Sequence, residues 1–285
     1  MLDIVINNDV MREVSKMPTQ TKAKFIQQLG QMEFARCAED PFYWLDAKRH
    51  WVPYVYTKDE HPLWKCLKCG EADDGHTFNK LKLHLRDTHN IDEDNAIRIQ
   101  AYYTPINPIR PFPMHEYFRP LINTWLTKQL VLVPKSRDMM ATWLYLALYS
   151  WDTFFHRARQ NFVQSETAPK TRDLIKRAFV MWKNQPKFLR DVNLAKYNIG
   201  PFNAGVITLD NYDSELVGFP QGAGLVRQYH PSGMFTDETA FHPDAGETFA
   251  AIKPAIQAGG RYTGVSSAFP SWFQIAVQDQ FSEEN

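Results

Sequence analysis

Two cysteines and two histidines narrow most sharply what this chain of 285 residues can form. In WKCLKCGEADDGHTFNKLKLHLRDTH, two residues separate Cys66 from Cys69, fourteen follow, and four separate His84 from His89. Two thiolates on a tight turn and two imidazoles about one helical turn apart can close a tetrahedral zinc site. Phe78 and Leu81 precede His84 by six and three residues, so on a helix over about 77–89 they turn inward beside the ligands. A module of this size cannot fold on its own apolar area, and a bound Zn2+ would supply much of its stability. His76 competes as a fourth ligand, and the plainer alternative is a chance CxxC beside a helix with two histidines. Cys37 reads as a small buried hydrophobe. Three cysteines make no disulfide framework, and a CxxC points to metal in a reducing compartment.

The total charge is zero, with 32 basic and 32 acidic residues, which excludes a uniformly basic nucleic-acid binder. Counted by segment, residues 1–104 carry 14 basic and 16 acidic residues, 105–195 carry 14 and 6, and 196–285 carry 4 and 10. The basic middle points to contact with phosphate or another polyanion, or to a solvated helix face. Lys65, Lys68, Lys80, Lys82 and Arg86 leave two roles open for the Cys/His module: DNA phosphate contact, or a structural or protein-docking part. The least polar stretch, Met139 to Trp151, is shorter than the roughly 20 residues a membrane span needs. The N-terminus MLDIVINNDV shows no basic and apolar secretory signal.

Residues 1–60 read mostly as helix, with Phe25, Leu29, Met32 and Phe34 at helical spacing; 61–92 is the Cys/His module; Pro105 to Pro113 marks an extended linker. From 105 to 285, apolar strands alternate with helices. Leu130–Val133 reads as a strand, about 138–159 and 171–182 as helices, and Gly205–Leu209, Leu225–Gln228, Met234–Thr236 and Tyr262–Ser266 as short strands. The pattern predicts an α/β fold with a mostly parallel sheet, behind a helical segment and a small ββα-like zinc module.

Three further constellations carry chemistry. Leu130-Val-Leu-Val-Pro-Lys135-Ser136-Arg137-Asp-Met-Met-Ala-Thr142 runs from strand through loop into a helix whose first amides can bind anionic oxygens. It lacks the Gly-Lys pair of the usual phosphate loop; the cations Lys135 and Arg137 stand at its front, and Thr142 can offer a hydroxyl to Mg2+. Taken alone, this segment also fits an ordinary strand-to-helix connection. Further on, Gly233-Met-Phe-Thr-Asp237-Glu238 is an apolar strand ending in adjacent carboxylates, the arrangement in which one acid holds a magnesium shell and the next polarises a water. Gly260-Arg-Tyr-Thr-Gly-Val-Ser266-Ser267 is another strand, ending in hydroxyl residues suited to sensing a γ-phosphate.

The order Lys135-Ser136-Arg137-x-Met139-Met140-x-Thr142-Trp143, then Asp237-Glu238-x-Ala240, then Gly259-Gly260-Arg261-x4-Ser266-Ser267-Ala268 resembles the ATPase domain of the large terminase subunits of tailed bacteriophages, over about 110–285. The resemblance implies a P-loop NTPase of the ASCE type that hydrolyses ATP to drive double-stranded DNA into a procapsid. It implies Lys135, Ser136 and Arg137 on the phosphates, Thr142 and Asp237 on magnesium, Glu238 as the catalytic carboxylate, and Ser266 and Ser267 in the coupling motif. Arg227, eleven positions before Glu238, matches an arginine that acts on a neighbouring subunit. Phe112 to Tyr117 has two readings, part of an adenine pocket or a hydrophobic staple before the next helix. Further implications are a homo-oligomeric ring, a small terminase subunit and a portal or procapsid as partners, no membrane, and action in the host cytoplasm outside the mature virion. Two departures stand out. The acids Asp279, Glu283 and Glu284 form no nuclease-like metal cluster, so this portion is expected to be an ATPase without a nuclease, and the zinc module lies outside the family's common core. Other classes remain: a zinc-finger DNA-binding protein with an inert α/β scaffold, or a helicase-like translocase, which would carry arginine-bearing motifs in a second similar domain. No HExxH occurs, which excludes a zincin protease.

Overall fold

The computed structural model describes residues 8–45, 53–56, 64–70, 72–73, 78–94, 98–99, 102–105, 109–222 and 228–283. The chain divides into two units, one made of 1–53 with 113–285 and one of 54–112. The larger unit begins with α1 (Asn8–Lys16), α2 (Thr19–Glu39) and α3 (Pro41–Leu45). The smaller holds β1 (Tyr54–Tyr56), β2 (Trp64–Cys66), β3 (Ala72–Asp73), α4 (Phe78–His89), β4 (Tyr103–Pro105) and β5 (Ile109–Pro111). The larger then resumes with α5 (Phe118–Thr127), β6 (Leu130–Pro134), α6 (Ala141–Phe155), β7 (Gln160–Gln164), α7 (Ala168–Lys183), α8 (Lys187–Arg190), β8 (Ala195–Asn198), β9 (Val206–Leu209) and β10 (Ser214–Gly218). It ends with β11 (Gly233–Asp237), a 3-10 turn (Thr239–Phe241), α9 (Ala245–Gln257), β12 (Arg261–Ser266) and α10 (Trp272–Glu283).

In the larger unit seven strands form one sheet in the order β6-β12-β11-β7-β10-β9-β8. The first five run parallel, and β9 alone is reversed, pairing antiparallel with both β10 and β8. The strand before the basic loop and the strand bearing the acid pair are thus separated by β12 alone. Because β6, β12 and β11 are parallel, their C-terminal ends share one edge; the register pairs Pro134 with Ser266 and Val265 with Asp237. Ligands of open α/β sheets bind at this edge.

Helices cover both faces, as parallel sheets require. On one face α6 is buried nearly all round, with Leu144, Tyr145, Leu146, Ala147, Leu148 and Tyr149 fully enclosed. A helix apolar on every side needs neighbours on every side. The sheet supplies one: Tyr149 stacks on Phe235 at 5.8 Å and its hydroxyl donates to the Met234 carbonyl oxygen at 2.9 Å. The N-terminal helices supply another, through Phe34 against Phe155 and an indole N–H of Trp151 on the Cys37 carbonyl. Cys37 is fully buried. Each large side chain enclosed here stabilises the fold by about 1.5–3 kcal/mol. Gly30 lets α2 meet α8: a Cβ there would lie 2.3 Å from the Phe188 carbonyl oxygen. On the opposite face Ile252, Ala255 and Ile256 of α9 pack on Phe162, Met234 and Tyr262.

Strands β6, β9, β11 and β12 fall where the apolar runs predict them. The helix expected over 138–159 is shorter, Ala141–Phe155, and the alternation signal misses β7, β8 and β10. Strand β7 reads QNFVQ, and most of its polar side-chain groups find partners: buried Asn161 donates to Asp152 at 2.8 Å and to the Thr153 hydroxyl at 3.0 Å, and Gln164 donates to the Pro220 carbonyl at 2.8 Å while its own side-chain oxygen is left without a partner. The strand expected at Leu225–Gln228 lies outside the described residues up to Arg227, and Gln228 stands in a turn.

In the smaller unit β2 is the centre of an antiparallel sheet, β3-β2-β4. The expected ββα element is therefore widened by β4. Cys66, Leu81, Leu85 and Ile99 form its core. β1 pairs with β5, Tyr54 opposite Pro111, so the unit's entry and exit strands are neighbours, and the expected proline-rich linker is partly strand. Among the described residues no helix is long and apolar enough to cross a membrane.

Candidate active site and candidate metal centre

The turn from β6 into α6 is built without glycine. Asp138 and Met140 adopt left-handed conformations, φ 63° and 49°, and Met140 precedes the first helical residue. A non-glycine residue pays roughly 1–2 kcal/mol for that conformation, so the surrounding contacts must hold it. One of them extends the ladder past the strand end: the Lys135 amide donates to the Ser266 carbonyl at 2.9 Å.

Four elements converge at the shared edge. The Lys135 ammonium donates to a Glu238 carboxylate oxygen at 3.2 Å, with the lysine side chain only 12 % exposed. The Thr142 hydroxyl, at the start of α6, donates to Asp237 Oδ1 at 2.8 Å. The Ser267 hydroxyl reaches the other Glu238 oxygen at 3.5 Å. Ser266 faces away from the carboxylates; its hydroxyl accepts from the Ala240 amide at 3.1 Å, beneath the 3-10 turn. Ser136 and Arg137 are exposed at the front of the loop. Tyr117 touches the same loop through a hydroxyl donated to the Met139 carbonyl at 3.4 Å, and its ring stacks on His115. Arg227 lies outside the described residues.

The electrostatics single out Asp237. Burial raises its pKa to about 6, and the neighbouring Glu238 adds to the rise; the Thr142 hydroxyl, Lys135 and Arg177 oppose it. Arg177, on α7, also packs over the Trp143 ring at 5.4 Å and pairs with Asp173. Lys170, at the start of α7, feels both acids, though its raised pKa is due first to Glu166. Neither α7 cation is visible to sequence reasoning, because only the sheet order, which sets β7 beside β11, brings the charges of the helix after β7 within reach of Asp237. His242 is a third residue missed: it is buried, and its Nε2 lies 2.9 Å from the Asp237 carbonyl oxygen.

In the smaller unit Cys66, Cys69, His84 and His89 bring one ligand atom each to within 4.8 Å of one another. Cys66 Sγ is 3.3 Å from His89 Nε2, and Cys69 Sγ is 3.5 Å from His84 Nε2. Zinc–sulfur and zinc–nitrogen bonds meeting at the tetrahedral angle put sulfur and nitrogen about 3.6 Å apart. Two soft thiolates and two imidazoles at that separation fit zinc. Burial acts to raise the Cys66 pKa, but the backbone amides of Cys69 and Lys68 and the His84 and Cys69 side chains outweigh it and bring it to about 6. The alternative ligand His76 lies outside the described residues.

No protein-family model matches the chain, and no curated protein does. Among solved structures, the chain is similar to the large terminase of bacteriophage HK97, with 13 % identity over 62 % of this chain and 38 % of that one, at a TM-score of 0.49. It is also similar to the ATPase domain of the Thermus phage P74-26 large terminase, with 14 % identity, 50 % and 61 % coverage and a TM-score of 0.40. A mutant of that domain gives 16 %, 56 % and 68 % at 0.42. The chain thus spans between 38 % and 68 % of the length of these structures.

Proposed function

We propose that the larger unit is an ATPase, the motor portion of a viral DNA-packaging terminase. The observation that carries this reading is the meeting of the Lys135 ammonium, the Thr142 hydroxyl and the Asp237–Glu238 pair at one edge of a parallel sheet. A lysine, a hydroxyl and two carboxylates in this arrangement match what phosphoryl transfer needs, which is positioning and charge neutralisation rather than covalent chemistry.

In this reading Lys135 binds the phosphates and Arg137 and Ser136 support it from the front of the loop. Asp237 and Thr142 present hard oxygens 2.8 Å apart, a donor set that fits magnesium. When bound there, Mg2+ neutralises charge on the phosphate oxygens. Glu238 accepts a hydrogen bond from the attacking water and takes its proton. Lys135 and Ser267 fix the two Glu238 oxygens and so set the direction in which the carboxylate faces. Tyr117, bonded to the loop at Met139, and His115, stacked on it, would form part of the adenine pocket. Ser266 ties β12 to the turn after Glu238, which links the two strands mechanically. Arg227 completes the site of a neighbouring subunit in a ring.

Cys66, Cys69, His84 and His89 bind Zn2+, which supplies the cross-link that so small a core lacks. The module's charges favour a structural or protein-docking role over DNA contact. Residues 54–112 hold eight Lys and Arg against nine Asp and Glu. Three of those cations are paired within the module, Lys82 with Asp94, Arg86 with Asp87 and Arg98 with Glu93. DNA contact is instead assigned to the basic segment 105–195, which predicts salt-sensitive affinity.

The test is ATP hydrolysis with and without double-stranded DNA, on protein of measured zinc content. DNA-stimulated turnover is the expected result. A protein with no nucleotide-dependent thermal shift and no hydrolysis would instead be a binding protein on an inert scaffold.

A further inference from the structure

We infer that His242 is a positioning residue for the Glu238 carboxylate, acting through the peptide plane between Asp237 and Glu238. The inference rests on the ATPase reading for its functional consequence, and on geometry for its structural one.

Glu238 adopts a left-handed conformation, φ 54° and ψ 41°, at the entry to the 3-10 turn. A glutamate gains nothing local from that conformation, which is expensive for a residue with a Cβ. The turn that follows is therefore held by bonds to its backbone. The Thr239 hydroxyl donates to the Thr236 carbonyl at 2.9 Å, and the Phe241 amide to the Glu238 carbonyl at 2.9 Å. The Ala240 amide donates to the buried Ser266 hydroxyl. These bonds hold the far side of Glu238. On its near side, the carbonyl of Asp237 and the amide of Glu238 belong to one rigid plane, so the orientation of that carbonyl sets φ at Glu238. His242 Nε2 meets that carbonyl at 2.9 Å.

A carbonyl oxygen only accepts, so Nε2 carries the hydrogen and the ring is the donor. The ring is 6 % exposed, and burial lowers its pKa, against the Asp237 backbone bond and the charges of Glu166 and Glu238, which act to raise it. The bond closes a six-residue loop, Asp237 to His242, around the carboxylate that Lys135 and Ser267 grip from the other side. Glu238 is thereby fixed at both its backbone and its side-chain end. Removing the donor frees the plane and lets Glu238 relax to an ordinary conformation, which moves its carboxylate. A displacement on the ångström scale at the reacting group can lower turnover by about a hundredfold while leaving nucleotide binding, carried by Lys135 and Asp237, in place.

The experiment compares His242→Leu, which fills the volume without a donor, with His242→Gln, whose terminal amide reaches the same carbonyl. In His242→Leu, kcat is expected to fall about tenfold or more, with ATP affinity near the parent's, and a crystal structure should show Glu238 out of the left-handed region. His242→Gln is expected to recover most of kcat. Should leucine not be tolerated, His242→Asn, as polar as glutamine but too short to reach, gives the same discrimination. Near-parental kcat in the leucine variant, a glutamine variant as slow as it, or Glu238 unmoved in its crystal structure would each overturn the inference. A parent protein that hydrolyses no ATP would overturn the ATPase reading, whereas the variant's structure judges the positioning by itself.

Discussion

The two candidate sites are assembled in opposite ways. The four ligands of the candidate metal centre lie within residues 66–89, on one hairpin and one helix, and among the described residues the buried core around them is Cys66 itself with Leu81, Leu85 and Ile99. The residues of the proposed ATPase site come from 135, 142, 237, 238 and 267, and meet only because β6, β12 and β11 run parallel in adjacent positions. In the first case the site holds the fold; in the second the fold holds the site. Residues can therefore be removed from the larger unit's site without unfolding it, whereas removal of zinc should dismantle the smaller unit.

The largest effect that tests this contrast is on turnover. Glu238→Gln keeps the size and the contacts to Lys135 and Ser267 but removes the base, so hydrolysis should fall by about 10²–10⁴-fold while ATP still binds. Steady-state hydrolysis and a binding titration decide it; a variant turning over near the parent rate removes Glu238 from the mechanism. The next effect is structural. Chelation, or Cys69→Ser, should abolish amide protection in 78–89, because the module's own apolar area is too small to fold it. Protection in the buried helix 141–155 should persist. Simultaneous loss in both segments would show that the contrast is wrong and that the two units are one cooperative structure.

That contrast also decides what the sequence could reveal. Spacing alone marks Cys66, Cys69, His84 and His89, because their proximity is local and a ligand pattern survives translation into coordinates. Lys135, Thr142, Asp237 and Glu238 are visible through a different signal, apolar strands ending in chemically matched residues, and the strand order then unites them. Strand β7 escapes notice because its Gln160, Asn161 and Gln164 donate to Glu215, to Asp152 and Thr153, and to the Pro220 carbonyl, so polar residues are buried in it and break the apolar run. With β7 unrecognised, α7 cannot be placed, and Arg177 stays invisible as a cation facing Asp237. His242 is hidden for a further reason: its contact is to backbone, and no side-chain motif encodes it.

A smaller effect separates the two loop cations. Lys135 is nearly enclosed and bonded to Glu238, and Arg137 is exposed. A charge-assisted hydrogen bond in a desolvated site is worth about 1.5–3 kcal/mol, so Lys135→Ala should weaken ATP affinity by about tenfold or more and Arg137→Ala by less. Equal losses would place both cations on the phosphates, and unchanged affinity in both would move the nucleotide elsewhere.

The last effect is on stability rather than function and concerns the cost of keeping a carboxylate in the larger unit's core. Burial raises the Asp237 pKa from the ordinary carboxylate value to about 6. A raised folded-state pKa means that the folded form binds the proton more tightly than the unfolded chain. The stabilisation this brings is complete below about pH 4 and is lost as pH rises through about 6. A shift of this size corresponds to about 2–3 kcal/mol. Asp237→Asn keeps an acceptor for Thr142 and carries no charge, so in metal-free buffer it should melt several degrees above the parent at pH 8. The gap should close near pH 4, where the parent's carboxyl is protonated. Added magnesium should narrow the gap at pH 8 by stabilising the parent alone, which thermal melts at the two pH values with and without the ion will read. A variant no more stable than the parent at pH 8 would mean that Lys135 and Arg177 already neutralise Asp237, and that the site is electrostatically complete without a metal.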